Sequence, residues 1–366
     1  MVAMYYVVMY TALFLAFAAA AYIVKRYSAV WCMRLGAFVN VAVIALVCAF
    51  NNQLTDLYLL FALLNGVASG IYWVAINGFT ANTMGGTAML RFQAYTNIAT
   101  SAAKIILPFT LGAIIHYVSF LVATLVAAGI GVVLVAFTLL MRVKEINKSR
   151  FSIRGYVTLL RREHLVRPVV HNFFLQLSRS LFAAAGVCVT ILLAINLGDS
   201  FQLGYLISAF SAATIVLLIL YRLIKSRTVK NNIYLACAVA AFLLSCGLLF
   251  EVSRLTVILF QVASSVFLVV PNIETGKLQF DVMKELGQPQ TSTESLVVVE
   301  FAYFIGRLAV MGLILLGCYL ESFLMFKILT IILMASAILS YVIFRLWWRA
   351  YRGVIPRAPI PARRGH

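Results

Sequence analysis

Long apolar stretches separated by short polar ones run along almost the whole 366-residue chain. A membrane-spanning helix needs about 20 predominantly apolar residues. That condition is met eleven times, which predicts an all-α fold. The predicted spans cover residues 2–24, 30–50, 57–80, 92–116, 119–141, 168–195, 201–223, 231–250, 255–272, 295–319 and 322–347. The first run has no basic segment before it and is too long for a signal-peptide core, so we interpret it as a span.

The composition places the chain among polytopic membrane proteins. Hydrophobic residues make up 64% of the chain, charged residues 11%, and the mean hydropathy is +1.02, values that an ordinary water-soluble globule does not have. The formal charge of +18 lies mainly in short loops between apolar runs, which is typical of membrane topology, so nucleic acid is not an expected partner. The six cysteines are scattered without a Cys-x-x-Cys pair, and we expect no disulfide, metal or cofactor.

The distribution of basic residues predicts the orientation in the membrane. With the N-terminus outside, most of the 29 Lys and Arg residues fall in loops on one side. The opposite loops contain one basic residue, Arg254, and several acidic residues. By the positive-inside rule, we expect a multi-pass protein of the cytoplasmic membrane with its C-terminus in the cytoplasm.

A basic stretch, residues 142–167, divides the chain into five spans before it and six after it. Its interior predicts an amphipathic helix on the cytoplasmic membrane surface, because Phe151, Tyr156, Leu159 and Leu160 can share a side. A shift of 200 residues superimposes the first four spans on 201–223, 231–250, 255–272 and 295–319 in order. The span 168–195 has no counterpart, so the first half lacks an opening helix. The predicted organisation is an N-terminal bundle (1–141), a basic loop (142–167), a C-terminal bundle (168–347) and a basic tail (348–366).

Two parallel halves joined by a long basic loop resemble the major facilitator superfamily of secondary transporters, with the first helix missing. The segment 21–36 is similar to the family's loop between helices two and three, Gly-x-Leu-x-Asp-Arg-x-Gly-Arg-Arg. Arg26 fits the motif arginine and Gly36 the following glycine, whereas Lys25 replaces the usual aspartate and Ser28 the glycine. The resemblance implies a gating loop that contains Lys25, Arg26 and Arg34.

The segments 66–77 and 104–112 are similar to helices four and five of bacterial members of that family. They supply a predicted polar and aromatic lining for the first half, formed by Tyr72, Trp73 and Asn77. Asparagines in such helices also bond neighbouring helices, which is the alternative interpretation. Close helix approach is predicted at Gly66, Gly70, Gly78, Gly129 and Gly131.

Charged residues inside spans are costly and usually face a polar interior, which makes them site candidates. The cations of this kind are Lys104, Arg179 and Arg307, and the clearest carboxylate is Glu300. Glu300 and Arg307 lie two turns apart on one helix face, and we expect them to be too distant to bond each other. Glu300 either carries a proton during transport or neutralises a nearby cation.

The second half has its own candidate lining. Gln176 and Arg179 share a helix face with His171 and Asn172, although His171 and Asn172 can instead cap the helix start after Pro168. Asn272 and Glu274 follow Pro271, which indicates either a broken, gating helix or the end of a span. The pathway candidates are thus Lys104, Arg179, Glu300, Arg307, Asn77, Tyr72, Trp73, Gln176 and Asn272.

These features favour a secondary transporter that moves a small solute by alternating access, with the lipid bilayer and possible coupling protons as its other partners. Three mid-membrane cations against one carboxylate favour an anionic or zwitterionic solute. There is no Walker A motif for ATP, and the histidines lack paired carboxylates, so an enzyme is not expected. The alternative is a non-transporting membrane sensor or assembly protein, or a degenerate truncated transporter.

Overall fold

A computed structural model describes the chain in segments, and all the regular secondary structure in these segments is helical. The segments are residues 1–83, 86–141, 151–162, 165–197, 200–224, 226–250, 253–276, 292–320 and 323–351. The helices are α1 (Val2–Arg26), α2 (Ala29–Ala49), α3 (Tyr58–Thr83), α4 (Gly86–Tyr117), α5 (Phe120–Leu140), α6 (Ile153–Arg162), α7 (Val166–Leu197), α8 (Ser200–Leu223), α9 (Arg227–Phe250), α10 (beginning with Arg254–Val262), α11 (Ser292–Tyr319) and α12 (Phe323–Tyr351).

The eleven predicted spans coincide with the eleven long helices of the described segments, and the prediction of an all-α membrane fold is confirmed. Within the described segments, nine helices are long and apolar enough to cross a membrane. Serine caps define several helix starts. Ser28 and Ser119 are extended at the ends of loops and accept hydrogen bonds from the backbone N–H groups of Trp31 and Val122, which satisfies one otherwise unpaired donor in each first turn.

The helix α10 is interrupted by a π turn that the apolar pattern did not predict. After Arg254–Val262, the turn Ala263–Phe267 has the wider hydrogen-bond spacing of a π helix, and the helix then continues to residue 276. Pro271 provides the physical reason, because it has no N–H for the carbonyl four residues earlier and its ring crowds that carbonyl. The predicted end of this span at residue 272 was therefore four residues too early, and Pro271 accompanies an interruption of the helix rather than its end.

Glycines bring α3 into backbone contact with α1. A Cβ atom on Gly66 would lie 2.3 Å from the carbonyl oxygen of Met9, and one on Gly70 would lie 2.4 Å from that of Leu13. A real side chain does not fit at either position. At Gly129, by contrast, a Cβ atom would meet nothing within 4 Å, so the prediction of a close helix approach was wrong there.

Two seams join the helices on either side of the basic loop. α1 packs against α11, and α4 packs against α8. The 200-residue shift places α1 on α8 and α4 on α11. The predicted repeat therefore relates the α1–α11 contact to the α4–α8 contact. At the α4–α8 seam, a Cβ atom on Gly204 would lie 2.3 Å from the carbonyl oxygen of Pro108, and the hydroxyl of Ser208 lies 2.7 Å from the carbonyl oxygen of Ile105. This seam is therefore a backbone-to-backbone contact.

The amphipathic helix predicted in the basic loop is present as α6, but its apolar side faces the protein. Tyr156 and Leu160 are buried and pack with Leu165, Val169 and Val298, which belong to the start of α7 and to α11. The prediction that this side rests on the membrane was therefore wrong. Residues 142–150 of the loop and 352–366 of the tail lie outside the described residues.

Candidate functional site

The centre of the second half contains a hydrogen-bonded network around Arg179 of α7. The Arg179 guanidinium donates from Nε to Asn272 Oδ1 at 3.1 Å and from Nη1 to the Tyr303 hydroxyl at 2.7 Å. The Tyr303 hydroxyl in turn donates to Gln176 Oε1 at 2.7 Å. Three helices, α7, α10 and α11, thus contribute to one polar cluster, and it contains the predicted candidates Arg179, Gln176 and Asn272.

The polar chain extends from this cluster toward the start of α7. Gln176, which is fully buried, donates from Nε2 to Asn172 Oδ1 at 3.1 Å. Asn172 is itself 3% exposed, so it belongs to the interior and does not merely cap the helix start. His171 contacts the Arg167 carbonyl oxygen through Nδ1 at 2.9 Å and remains a feature of the first turns of α7.

Glu300 and Arg307 form a direct ion pair, contrary to the expectation from their spacing. Arg307 Nη1 lies 2.7 Å from Glu300 Oε1. Seven residues correspond to about 10.5 Å along a helix, but both side chains are long and extend toward each other along the same face. The expectation failed because it counted the backbone separation without the reach of the side chains.

Arg307 also connects the two halves through aromatic rings. Its guanidinium carbon lies 5.2 Å from the ring centroids of both Tyr10 on α1 and Tyr303 on α11, within the range of cation–π attraction. Arg179 lies on the same Tyr303 ring at 5.8 Å. Tyr303 therefore contacts two guanidinium groups, and Arg307 keeps 26% of its side chain exposed.

An aromatic layer follows along the α1–α11 seam. Phe14 of α1 stacks on Phe304 at 4.6 Å between ring centroids and contacts Phe301 at 5.5 Å. Phe14 is one turn beyond Tyr10 on α1. On α1 the layer therefore lies between Tyr10 and the end of the helix, and on α11 it lies beside Tyr303.

At that end of the seam, Lys25 of the predicted gating loop forms a buried ion pair with Glu294 of α11. Lys25 Nζ lies 2.6 Å from both carboxylate oxygens of Glu294, and the two side chains are 7% and 3% exposed. Glu294 also accepts a hydrogen bond from the backbone N–H of Ser152 at 3.0 Å. Lys25 lies in the last turn of α1 and Glu294 in the first turn of α11, where each charge also complements its own helix dipole.

The other two gating-loop candidates make different contacts. Arg34 donates to the backbone carbonyls of Thr138, Leu139 and Met141 at 3.0–3.2 Å, so it satisfies the unpaired carbonyls at the end of α5. Arg26 is exposed and donates to Tyr22 of its own helix at 3.3 Å. Of the three, Lys25 is the residue that reaches α11.

The first-half candidates lie apart from the arginine cluster in their described contacts. Tyr72 and Trp73 contact each other edge to face at 6.4 Å, and the backbone of Tyr72 abuts Gly36. Trp73 is 52% exposed, and Asn77 is half-buried on α3. Lys104 belongs to α4, but its side chain lies outside the described residues.

The sequence reasoning missed Tyr303 and the partner of Glu274. Tyr303 was not singled out, although its position three residues after Glu300 and four before Arg307 puts it on their helix face. Glu274, which is 4% exposed, accepts a hydrogen bond from the Tyr221 hydroxyl of α8 at 2.5 Å. Nothing in one sequence links residues 53 positions apart, whereas helical spacing was enough to find Tyr303.

A helical membrane bundle with a polar, arginine-rich interior is a feature of solute transporters. The family model of the Major Facilitator Superfamily matches residues 1–276. The chain belongs to this superfamily, and it is a multi-pass membrane transporter of small molecules rather than an enzyme. No curated protein matches the chain in the corresponding search.

Solved structures of the superfamily share the fold at low sequence identity. The E. coli fucose:proton symporter FucP aligns with a TM-score of 0.65 at 15% identity, over 94% of this chain and 90% of that one. The POT family transporter PepTSo aligns with a TM-score of 0.72 at 11% identity, over 96% and 89%. The nucleoside transporter NupG aligns with a TM-score of 0.60 at 14% identity, over 94% and 91%. At these identities the likeness concerns the fold alone.

Proposed function

We propose that this secondary transporter carries a small anionic or zwitterionic solute, which binds to Arg179 and Arg307. The observation that carries the proposal is the placement of two guanidinium groups within 6 Å of the centre of one ring, that of Tyr303, with Arg307 partly exposed. One carboxylate, Glu300, contacts Arg307, so two cations face a single acid in this cluster. A carboxylate or phosphate group of a solute matches the planar donor geometry of arginine.

The proposed cycle is alternating access in the cytoplasmic membrane, with the N-terminus outside and the C-terminus inside. The predicted halves, residues 1–141 and 168–347, rock about the arginine cluster. In this orientation the Lys25–Glu294 pair and the aromatic layer of Phe14, Phe301 and Phe304 close the cytoplasmic end. Opening toward the cytoplasm requires both layers to separate.

Glu300 is the proposed proton carrier. An anionic solute that binds Arg307 competes with Glu300 for the same guanidinium. A carboxylate that loses its cation in a membrane interior is costly as an anion, and protonation removes that cost. Binding of the solute and uptake of a proton by Glu300 would then favour each other, which is the arrangement of a proton-coupled transporter.

Ligand-dependent thermal stabilisation of the purified protein tests the site. A panel of small carboxylates, amino acids, neutral sugars and organic cations is compared for the shift in melting temperature. We expect carboxylates or amino acids to stabilise the wild type and to lose that effect in Arg179→Ala and Arg307→Ala. The control is Arg345→Ala, since Arg345 lies over Tyr341 at 6.0 Å on α12. Stabilisation that survives both site substitutions contradicts the proposal.

Uptake into proteoliposomes under an imposed pH gradient tests the coupling. With a solute identified by thermal stabilisation, the wild type should accumulate it in response to the gradient. Glu300→Gln, which keeps the shape but cannot ionise, should lose that response while it still exchanges solute across the membrane. Accumulation equal to that of the wild type would remove Glu300 as the proton carrier.

A further inference from the structure

The side of α6 next to its buried side is exposed and has the composition of a membrane interface. With about 100° of rotation per residue, Ile153 lies beside the buried pair Tyr156 and Leu160, and Val157 follows about 40° further round. Ile153 and Val157 are 39% and 40% exposed. These two apolar residues are thus left uncovered beside Tyr156 and Leu160, which pack into the protein.

Basic residues follow directly on the same side. Arg161 and Arg154 lie about 80° and 100° round the helix from Ile153, and both are exposed. Residues 153–162 contain no Asp or Glu. We name the set Ile153, Val157, Arg161 and Arg154 the outer flank of α6. Apolar residues bordered by arginines on a short helix are the pattern that rests at the boundary between lipid headgroups and acyl chains.

The location of α6 suits contact with a bilayer surface. Its buried side packs on Leu165 and Val169 at the start of α7 and on Val298 of α11, so the helix lies at one end of the membrane bundle. The backbone N–H of Ser152, next to its first residue, bonds Glu294. The outer flank is therefore held in place by the protein rather than free to turn.

We propose that the outer flank of α6 is a docking surface for anionic phospholipids in the leaflet on the side proposed to be cytoplasmic. Arg154 and Arg161 bind the headgroup phosphates, while Ile153 and Val157 enter the edge of the acyl region. The apolar pair distinguishes this surface from one for a soluble polyanion, which offers nothing to cover exposed isoleucine and valine. Because Ser152 bonds Glu294, the lipid also steadies the helix that contacts the Lys25–Glu294 pair.

Hydrogen exchange of the full-length protein in lipid nanodiscs tests this surface. The backbone amides of residues 153–162 are followed in nanodiscs of phosphatidylcholine alone and of phosphatidylcholine mixed with phosphatidylglycerol, without any transported solute. Each basic residue near an anionic surface strengthens binding by roughly fivefold. We therefore expect exchange to be at least about fivefold slower with phosphatidylglycerol.

Variants identify the groups responsible. Arg154→Gln combined with Arg161→Gln should abolish the effect of phosphatidylglycerol, and the matched pair Arg154→Lys with Arg161→Lys should keep it. Ile153→Ser with Val157→Ser should reduce it, and this pair replaces the glutamine variant if that variant does not fold. Equal exchange of the wild type in both lipids overturns the proposal, as does an undiminished effect in the folded test variant.

A soluble anion provides the final distinction. Glycerol phosphate added to phosphatidylcholine nanodiscs supplies the same phosphate chemistry without acyl chains. Protection equal to that given by phosphatidylglycerol would indicate a soluble-anion site and would overturn the lipid proposal. Because the hydrogen-exchange experiment uses no transported solute, a negative result would leave the proposal of the transport site standing.

Discussion

At the scale of single residues, the Tyr303 hydroxyl is the junction of the arginine cluster. It accepts from Arg179 and donates to Gln176, both at 2.7 Å. Tyr303→Phe removes both hydrogen bonds and keeps the ring on which the two guanidinium groups rest. We expect a loss of about 1–3 kcal/mol in stability, measured as a lower melting temperature, together with weaker ligand stabilisation. Tyr319→Phe, at a position 84% exposed, should leave both unchanged.

Sequence reasoning found the charged members of this cluster and its amide side chains, but not Tyr303. A charge inside an apolar span is conspicuous because burial is costly, so Arg179, Arg307 and Glu300 could be singled out from one chain. A tyrosine is also common in ordinary packing, so only its helical spacing from Glu300 and Arg307 points to Tyr303. The Glu300–Arg307 bond was misjudged because contact depends on the reach of the side chains as well as on helical rise.

At the scale of elements, the contact between α1 and α3 depends on glycine. Gly70→Ala would push a methyl group to within 2.4 Å of the Leu13 carbonyl oxygen and 2.9 Å of the Phe17 nitrogen. Both are backbone atoms, which no change of rotamer can move. We expect the two helices to be forced apart and the melting temperature to fall markedly.

Gly129→Ala is the matched control within α5. Its added methyl group meets nothing within 4 Å, and alanine is favoured over glycine in a helix by about 1 kcal/mol. Its melting temperature should stay unchanged or rise slightly. If the two variants shifted the melting temperature equally, the close approach of α1 and α3 would be contradicted.

The elements themselves were predictable to different degrees. The eleven spans follow from the length and hydropathy of the apolar runs, because a helix in lipid satisfies its own backbone groups and little else can. The π turn of α10 could not be derived in this way, since Pro271 allows a kink, a wide turn or a helix end. The side of α6 that becomes buried was also beyond the pattern, which shows an apolar side but not whether protein or lipid covers it.

At the scale of the whole molecule, the Lys25–Glu294 pair joins segments 269 positions apart. Removal of one partner from a buried pair typically costs about 3–5 kcal/mol, because the other charge stays buried alone. Lys25→Ala and Glu294→Ala should each lower the melting temperature. The double variant Lys25→Ala with Glu294→Ala should lose less stability than the sum of the two single losses, because it leaves neither charge buried alone. A loss equal to that sum would contradict direct pairing.

Such long-range pairs explain why the class of the protein was more accessible from the sequence than the contacts between α1 and α11. The resemblance of residues 21–36 to a family motif marked Lys25 as part of a gate, but the motif has an aspartate at that position. The identity of its partner depends on how α1 and α11 pack, which is a property of the folded bundle. A single sequence contains no direct signal for that packing.

The two seams differ in chemistry, and this difference has a mechanical consequence. The described contacts of the α4–α8 seam include Gly204 against the Pro108 carbonyl and the Ser208 hydroxyl on the Ile105 carbonyl, which are neutral groups on which pH and membrane voltage exert little force. The α1–α11 seam contains the Lys25–Glu294 pair and Arg307. We therefore expect these α4–α8 contacts to persist when pH or voltage changes, and the charged contacts between α1 and α11 to respond to both.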